Sequence, residues 1–185
     1  MDICKALWKK RKMKIKGLVD ECFGDYKMPA MYIAFPYCSF KCDLEIHKNY
    51  CQNSHLANSP SIEISKEEIL HRYLSNDITE AIVLGGLEPF DSELELLAFI
   101  DCARRQFNIK DPIIIYTGYT EAELEDGNYG RGGNFKIQQE YWESIKNSGN
   151  IIVKFGRFRP NEQPHFDEVL GVYLANKEQY AKEYV

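Results

Sequence analysis

From residue 31 onward, short apolar runs alternate with longer amphipathic stretches, and the alternation predicts strands and helices in turn. Met31-Tyr32-Ile33-Ala34-Phe35 is an apolar run closed by Pro36, the pattern of a short buried strand. Ser65-Lys66-Glu67-Glu68 reads as a capping box, and Ile69, Leu70, Tyr73 and Leu74 give the helix behind it one apolar face. Ala81-Ile82-Val83-Leu84 predicts a second strand, broken by Gly85-Gly86. Ser92-Glu93-Leu94-Glu95 reads as a second capping box, opening a helix to about residue 106 with Leu96, Ile100, Ala103 and Phe107 on one side. A third strand is expected at 112–116, a helical turn from Glu121, and a flexible glycine-rich loop at 126–133. A helix at 138–147 and a fourth strand at 151–154 follow. The remainder reads as irregular up to a short helix near 177–183.

Strands alternating with helices imply βαβ units and a mainly parallel sheet. Four predicted strands in 185 residues cannot close an eight-stranded barrel, which takes roughly 250 residues. The expected fold class is therefore α/β, an open, partial (β/α) barrel with a mainly parallel sheet. Sites in such folds lie at the carboxyl ends of the strands. The segment after the first strand, Gly85-Gly86, Thr117-Gly118 and Gly156-Arg157 all follow strands, so all are expected at one edge of the sheet.

Length and composition narrow the classes. The chain is sized for one domain, read as residues 13–185, with a basic tail at 1–12 around Lys9-Lys10-Arg11-Lys12 and Met13 as an alternative start. A net charge of −5 argues against a general nucleic-acid surface. No apolar stretch reaches the roughly 18–20 residues of a membrane span, and no signal peptide is visible. Six cysteines in such a chain argue against a disulfide framework and for a reducing, cytoplasmic setting.

Three of those cysteines are clustered, as Cys38-x3-Cys42-x8-Cys51. Three close thiolates make a soft-metal site. A [4Fe–4S] cluster is usually closed by four cysteines, so three leave one iron open to a small molecule. A zinc site completed by His47 or His55 is the alternative metal, and a zinc- or cluster-stabilised binding module without catalysis is the alternative function. Cys22 is a possible fourth ligand, Cys4 lies in the tail, and Cys102 reads as a small core residue. Gly85 and Gly86 let backbone approach a ligand closely.

Taken together, Cys38…Cys42…Tyr50-Cys51-Gln52-Asn53 and Gly85-Gly86-Leu87-Glu88-Pro89 resemble the radical S-adenosylmethionine (SAM) enzymes. With Tyr116-Thr117-Gly118-Tyr119-Thr120, Gly156-Arg157-Phe158 and the tail at 174–179, the chain most resembles the activating proteins of anaerobic ribonucleoside-triphosphate reductase, over roughly residues 13–185. The pattern departs from that family in the x8 gap, where x2 is usual, and in Phe155, where an acid commonly stands. The resemblance favours iron over zinc. It implies a [4Fe–4S] cluster on Cys38, Cys42 and Cys51, with SAM chelating the open iron. One electron then cleaves SAM to methionine and a 5′-deoxyadenosyl radical. It further implies SAM contacts from Tyr50 (stacked on adenine), Cys51, Gln52, Gly85, Gly86, Glu88 and Thr117, with Arg157 meeting either the SAM carboxylate or the partner. The implied partners are a large glycyl radical enzyme, the anaerobic ribonucleoside-triphosphate reductase, and an electron donor such as flavodoxin or ferredoxin. A radical SAM enzyme acting on another peptide or a small molecule is the neighbouring alternative.

Overall fold

The computed structural model describes residues 12–130 and 132–185. Cys4 and most of the basic run lie outside the described residues. Ten strands are found among them: β1 (Met13–Ile15), β2 (Gly17–Cys22), β3 (Ala30–Phe35), β4 (Ile62–Ile64), β5 (Ala81–Gly86), β6 (Ile113–Tyr116), β7 (Ile151–Phe155), β8 (His165–Asp167), β9 (Val172–Leu174) and β10 (Tyr180–Tyr184). The helices are α1 (Lys41–Ile46), α2 (Ser54–Asn58), α3 (Lys66–Leu74), α4 (Glu93–Asp101), α5 (Glu121–Glu125) and α6 (Phe135–Lys146).

Six strands form the main sheet in the order β10-β7-β6-β5-β3-β2. The four central strands are the four predicted ones, and they run parallel. β2 and β10 are antiparallel edges, and the sheet stays open. Because β3, β5, β6 and β7 follow one another in space as in sequence, their connecting helices gather on one face. Met31, Ile33 and Phe35, Ile82 and Leu84, Ile113 and Ile115, and Ile151, Val153 and Phe155 point to that face, into the main core with Phe90, Phe99 and Trp142. The alternate positions face the other way. There Ala30, Ala81, Val83, Ile114 and Ile152 are covered by Leu170 and Leu174, next to the ribbon of β8 and β9. Val172, Tyr173 and Leu174 of that ribbon also line a cavity that opens at the carboxyl edge of the sheet.

Local chemistry explains where the elements begin, and corrects four expectations. Ser65 caps α3 as predicted, accepting from the Glu68 N–H at 3.1 Å. Ser92 does not cap α4. Pro89 starts a 3₁₀ turn at Pro89–Ser92 first, and Glu88 caps that turn by accepting from the Phe90 N–H. The loop expected to be flexible is tied down among its described residues: Tyr129 is buried, its hydroxyl donates to the Gln138 carbonyl, and Gln138 Nε2 donates back to the Tyr129 carbonyl. The following helix starts at Phe135, three residues earlier than expected, because the Asn134 side chain accepts from Lys136 and Ile137 N–H groups.

The helix expected near 177–183 is instead the edge strand β10, paired from Tyr180↔Phe155 to Tyr184↔Ile151. Its period is two: Tyr180, Lys182 and Tyr184 all reach one carboxylate, Glu121, at 3.2, 2.6 and 2.8 Å. Cys22 ends the edge strand β2, where its thiol donates to Asp25. No helix among the described residues is long and apolar enough to cross a membrane.

Gly86 ends β5 with φ +82°, and a Cβ there would stand 2.7 Å from the Ala34 Cα on the neighbouring strand. Its lack of a side chain serves the β3–β5 packing, in addition to any ligand. Gly86→Ala is expected to destabilise the protein by at least about 2 kcal/mol, from left-handed strain and this clash, read by chemical denaturation of the apoprotein. A change below about 0.5 kcal/mol would contradict the packing role.

Candidate functional site

At the carboxyl edge of β3, β5, β6 and β7 lies a cavity of about 340 Å³, inside the usual small-molecule range. Cys38, Cys42, Cys51, Gln52, Gly86, Glu88 and Thr117 line it, as do Tyr32, Tyr116 and Lys154 from the sheet. The strand-end segments thus converge as their positions in the sequence implied.

The three thiols reach the cavity by different routes. Cys38 follows β3, and its Sγ accepts from the Phe40 N–H at 3.2 Å. Phe40, at φ 53°, turns the chain into α1, which places Cys42 in its first turn. Much of the stretched second gap is taken up by α1 and its left-handed end at His47. Asp43 then closes the excursion. Its Oδ1 accepts from the N–H groups of Tyr50 and Cys51 at 2.8 and 2.9 Å, folding Cys51 back beside Cys42. Asn53 fixes the far end by donating to the Gly86 carbonyl at 2.6 Å. All three thiols are half-buried. Burial raises each thiol above its ordinary value, with backbone N–H groups opposing. Such N–H groups would favour thiolates once a metal neutralises them.

The donor set suits an iron–sulfur cube. Three cysteine sulfurs share one cavity, while no three His, Cys, Asp or Glu side chains among the described residues converge to hold a single metal ion. His47 and His55, the zinc candidates, are exposed and outside the lining, and half-buried Cys22 also lies outside it. Cys102 is buried in the helix-side core.

Glu88 joins two turns of the wall. Buried behind the cavity surface, it accepts from Phe90 N, from Thr117 Oγ1 at 2.8 Å and from Gly118 N at 2.8 Å. Burial pushes its carboxyl up to about 7, against the pull of these donors. Thr117 also accepts from the Tyr119 N–H. Its hydroxyl is therefore taken up by the protein, so the expected donation to a ligand is not available in this arrangement. Cys42 packs on the same turn: a Cβ on Gly118 would lie 3.6 Å from its Sγ.

Arg157 is likewise occupied. It holds Glu123 through two bonds at 2.8 and 2.7 Å, and its Nε stands 2.8 Å from Glu45 on α1. The side chain is 8% exposed, so it braces the cysteine helix instead of offering itself to a ligand. Tyr50, expected over an adenine, is exposed and lies outside the lining, under Lys48. Gly85 lies beneath the Tyr32 ring. Asp43, Asn53, Tyr32, Tyr116 and Lys154 were missed. The sequence signal for Lys154 was a single cation within the apolar run 151–155. Burial pulls its ammonium down to about 8.

Residues 30–165, more than half of the chain, match the family described as "4Fe-4S single cluster domain", a domain found in radical SAM-type iron–sulfur proteins. No curated protein matches the chain.

Two outcomes test this geometry. Asp43→Ala should lower iron retention after anaerobic reconstitution, while Asp43→Asn, which keeps the acceptor, should retain it; equal retention in both would remove the clamp. The second concerns acid stability. Burial raises the Glu123 carboxyl, but the Arg157 guanidinium outweighs it and brings it to about 2, below the ordinary 4.5. A depressed carboxyl stabilises the fold above its unfolded-state value, and that contribution is lost as pH falls from about 4.5 to about 2. Arg157→Met should therefore cost about 2 kcal/mol at pH 7, and the gap from wild type should narrow toward pH 2. A gap independent of pH would show that the ion pair is not its source.

Proposed function

The chain belongs to the 4Fe-4S single cluster domain family, and on that premise we propose that it is a radical SAM activase that generates a glycyl radical on an anaerobic ribonucleoside-triphosphate reductase. Cys38, Cys42 and Cys51 hold the cluster in this reading, and SAM occupies the rest of the cavity. The observation that carries it is the meeting of three thiols, and no fourth among the described residues, with the glycine turn and the Glu88–Thr117–Gly118 lock in one small-molecule-sized cavity. When bound, the cluster supplies a low-potential electron that breaks the S–C5′ bond of the sulfonium.

The residues of the chain bind, orient and enclose. Gly86, Asn53, Tyr32 and Tyr116 line the cavity and would hold the methionine part of SAM. Glu88 keeps the two turns at fixed separation, and Phe158 and Leu174 limit water. A protein substrate fits the rim. Tyr173 and Phe166 pair edge-to-face on the β8–β9 ribbon and are 74% and 52% exposed, and Leu44 on α1 is 65% exposed. Aromatic and aliphatic groups of this kind, beside a cavity, suit a partner that brings its own loop to the site. A reduced flavodoxin or ferredoxin in the cytoplasm would supply the electron.

The test is anaerobic reconstitution with iron, sulfide, SAM and dithionite. A brown protein should form, release 5′-deoxyadenosine, and raise a glycyl-radical doublet in electron paramagnetic resonance when the reductase of the same genome is added. Each of Cys38→Ala, Cys42→Ala and Cys51→Ala should lose most iron, and Cys102→Ala should keep it. Cleavage of SAM without a doublet would remove the partner and leave the chemistry. Full iron in Cys51→Ala would sink the ligand set.

A further inference from the structure

Lys154 lines the cavity and Arg157 stands outside that lining, and their surroundings differ. The Arg157 guanidinium is taken up by Glu123 and Glu45. Lys154 is not. It sits on β7 opposite Tyr116, on the cavity side of the sheet, and is 7% exposed. Its ammonium donates once, to the Gly156 carbonyl at 2.8 Å, and lies 6.0 Å from the centre of the Tyr116 ring. It makes no ion pair among the described residues. Glu88, whose charge reaches it, has its own oxygens committed to Phe90, Thr117 and Gly118. The Gly156 carbonyl also accepts from Gln179 Nε2 at 3.2 Å, so it does not depend on the lysine.

An ammonium has three donors, and a buried one without a counter-charge opposes folding. A methionine at this place would fill the same space without that cost. A cation kept here against stability is explained by an anion that arrives with a ligand.

We propose that Lys154 is the anion-binding group of this cavity, its Nζ taking the carboxylate of the bound ligand. Resting on the function proposed above, that carboxylate is the one on the methionine part of SAM. The alternative role for the same charge is to offset the negative charge of the thiolate-bound cluster, since Cys42 also lies within its electrostatic reach.

Lys154→Met decides, compared with wild type after anaerobic reconstitution. Calorimetry with SAM should show a loss of between about tenfold and about 100-fold in affinity, the range of a charge-assisted hydrogen bond. With decarboxylated SAM, wild type and variant should bind alike, because the group that meets the lysine is gone. The variant should retain iron, and its apoprotein should melt no lower than wild type. Lys154→Arg, which keeps the charge, should lose less SAM affinity than Lys154→Met. The inference is overturned if SAM affinity is unchanged in Lys154→Met, if both ligands weaken equally, if iron is lost, or if the apoprotein melts lower. A wild-type protein that binds iron but not SAM would overturn the proposed function and this assignment together, an outcome distinct from a wild type that binds SAM and a variant that binds it equally well.

Discussion

The site depends on one buried carboxylate. Glu88 receives three donors from two different strand ends: the Phe90 N–H from its own turn, and the Thr117 hydroxyl and Gly118 N–H from the turn after β6. Parallel strands are hydrogen-bonded along their length, but the turns leaving them are free to splay. Here the acceptor capacity of a single carboxylate closes that freedom. An amide could not substitute evenly, because its nitrogen would face a donor. The same turn carries Gly118 against the Cys42 thiol, so the cavity wall and the position of one metal-ligand candidate are set together.

A second set of contacts carries the cysteine loop. A gap of eight residues between Cys42 and Cys51 would ordinarily let the last thiol wander. The added residues fold into α1, Asp43 bonds back to two N–H groups at the end of the excursion, and Arg157 braces α1 through Glu45. Arg159 adds a second contact to Glu45 at 3.1 Å. The loop is longer than the family pattern, yet its thiols return to a common cavity because its extra length has been given internal hydrogen bonds and an ion pair. Phe155 faces the helix-side core and packs with the rings of Trp142 and Tyr180. That leaves the cavity side of β7 to Lys154.

Function and stability pull apart at this edge. Glu88 and Lys154 are both buried ionisable groups, and burial moves each toward its neutral form, to about 7 and about 8. Groups shifted in this way concentrate at sites that handle charged ligands. Away from the edge the same sheet is almost wholly apolar on both faces, with Ile82, Ile113 and Ile151 on one side and Val83, Ile114 and Ile152 on the other. The polar side chains of Tyr32, Tyr116 and Lys154 stand on the cavity side, where a ligand would meet them.

The sequence by itself determined the four parallel strands, the placement of their carboxyl ends along one edge and the separation of Cys102 from the clustered thiols. Each of these is written in local periodicity or spacing: an apolar run of four to six residues, a glycine pair, three cysteines after a strand. Only the tertiary structure decided that residues 180–184 form an edge strand, since lysine, glutamate and tyrosine suit helix and strand alike until Phe155 and Glu121 are there to receive them. It also decided that Thr117 and Arg157 serve the protein, that Tyr50 stands outside the cavity, and that Lys154 stands inside it. The physical reason is the distance along the chain at which those choices are made. Thr117 meets Glu88 across 29 residues, and Arg157 meets Glu123 across 34 and Glu45 across more than 100. A polar side chain shows its chemistry in the sequence, but whether that chemistry is free for a ligand depends on which partner the fold brings to it first.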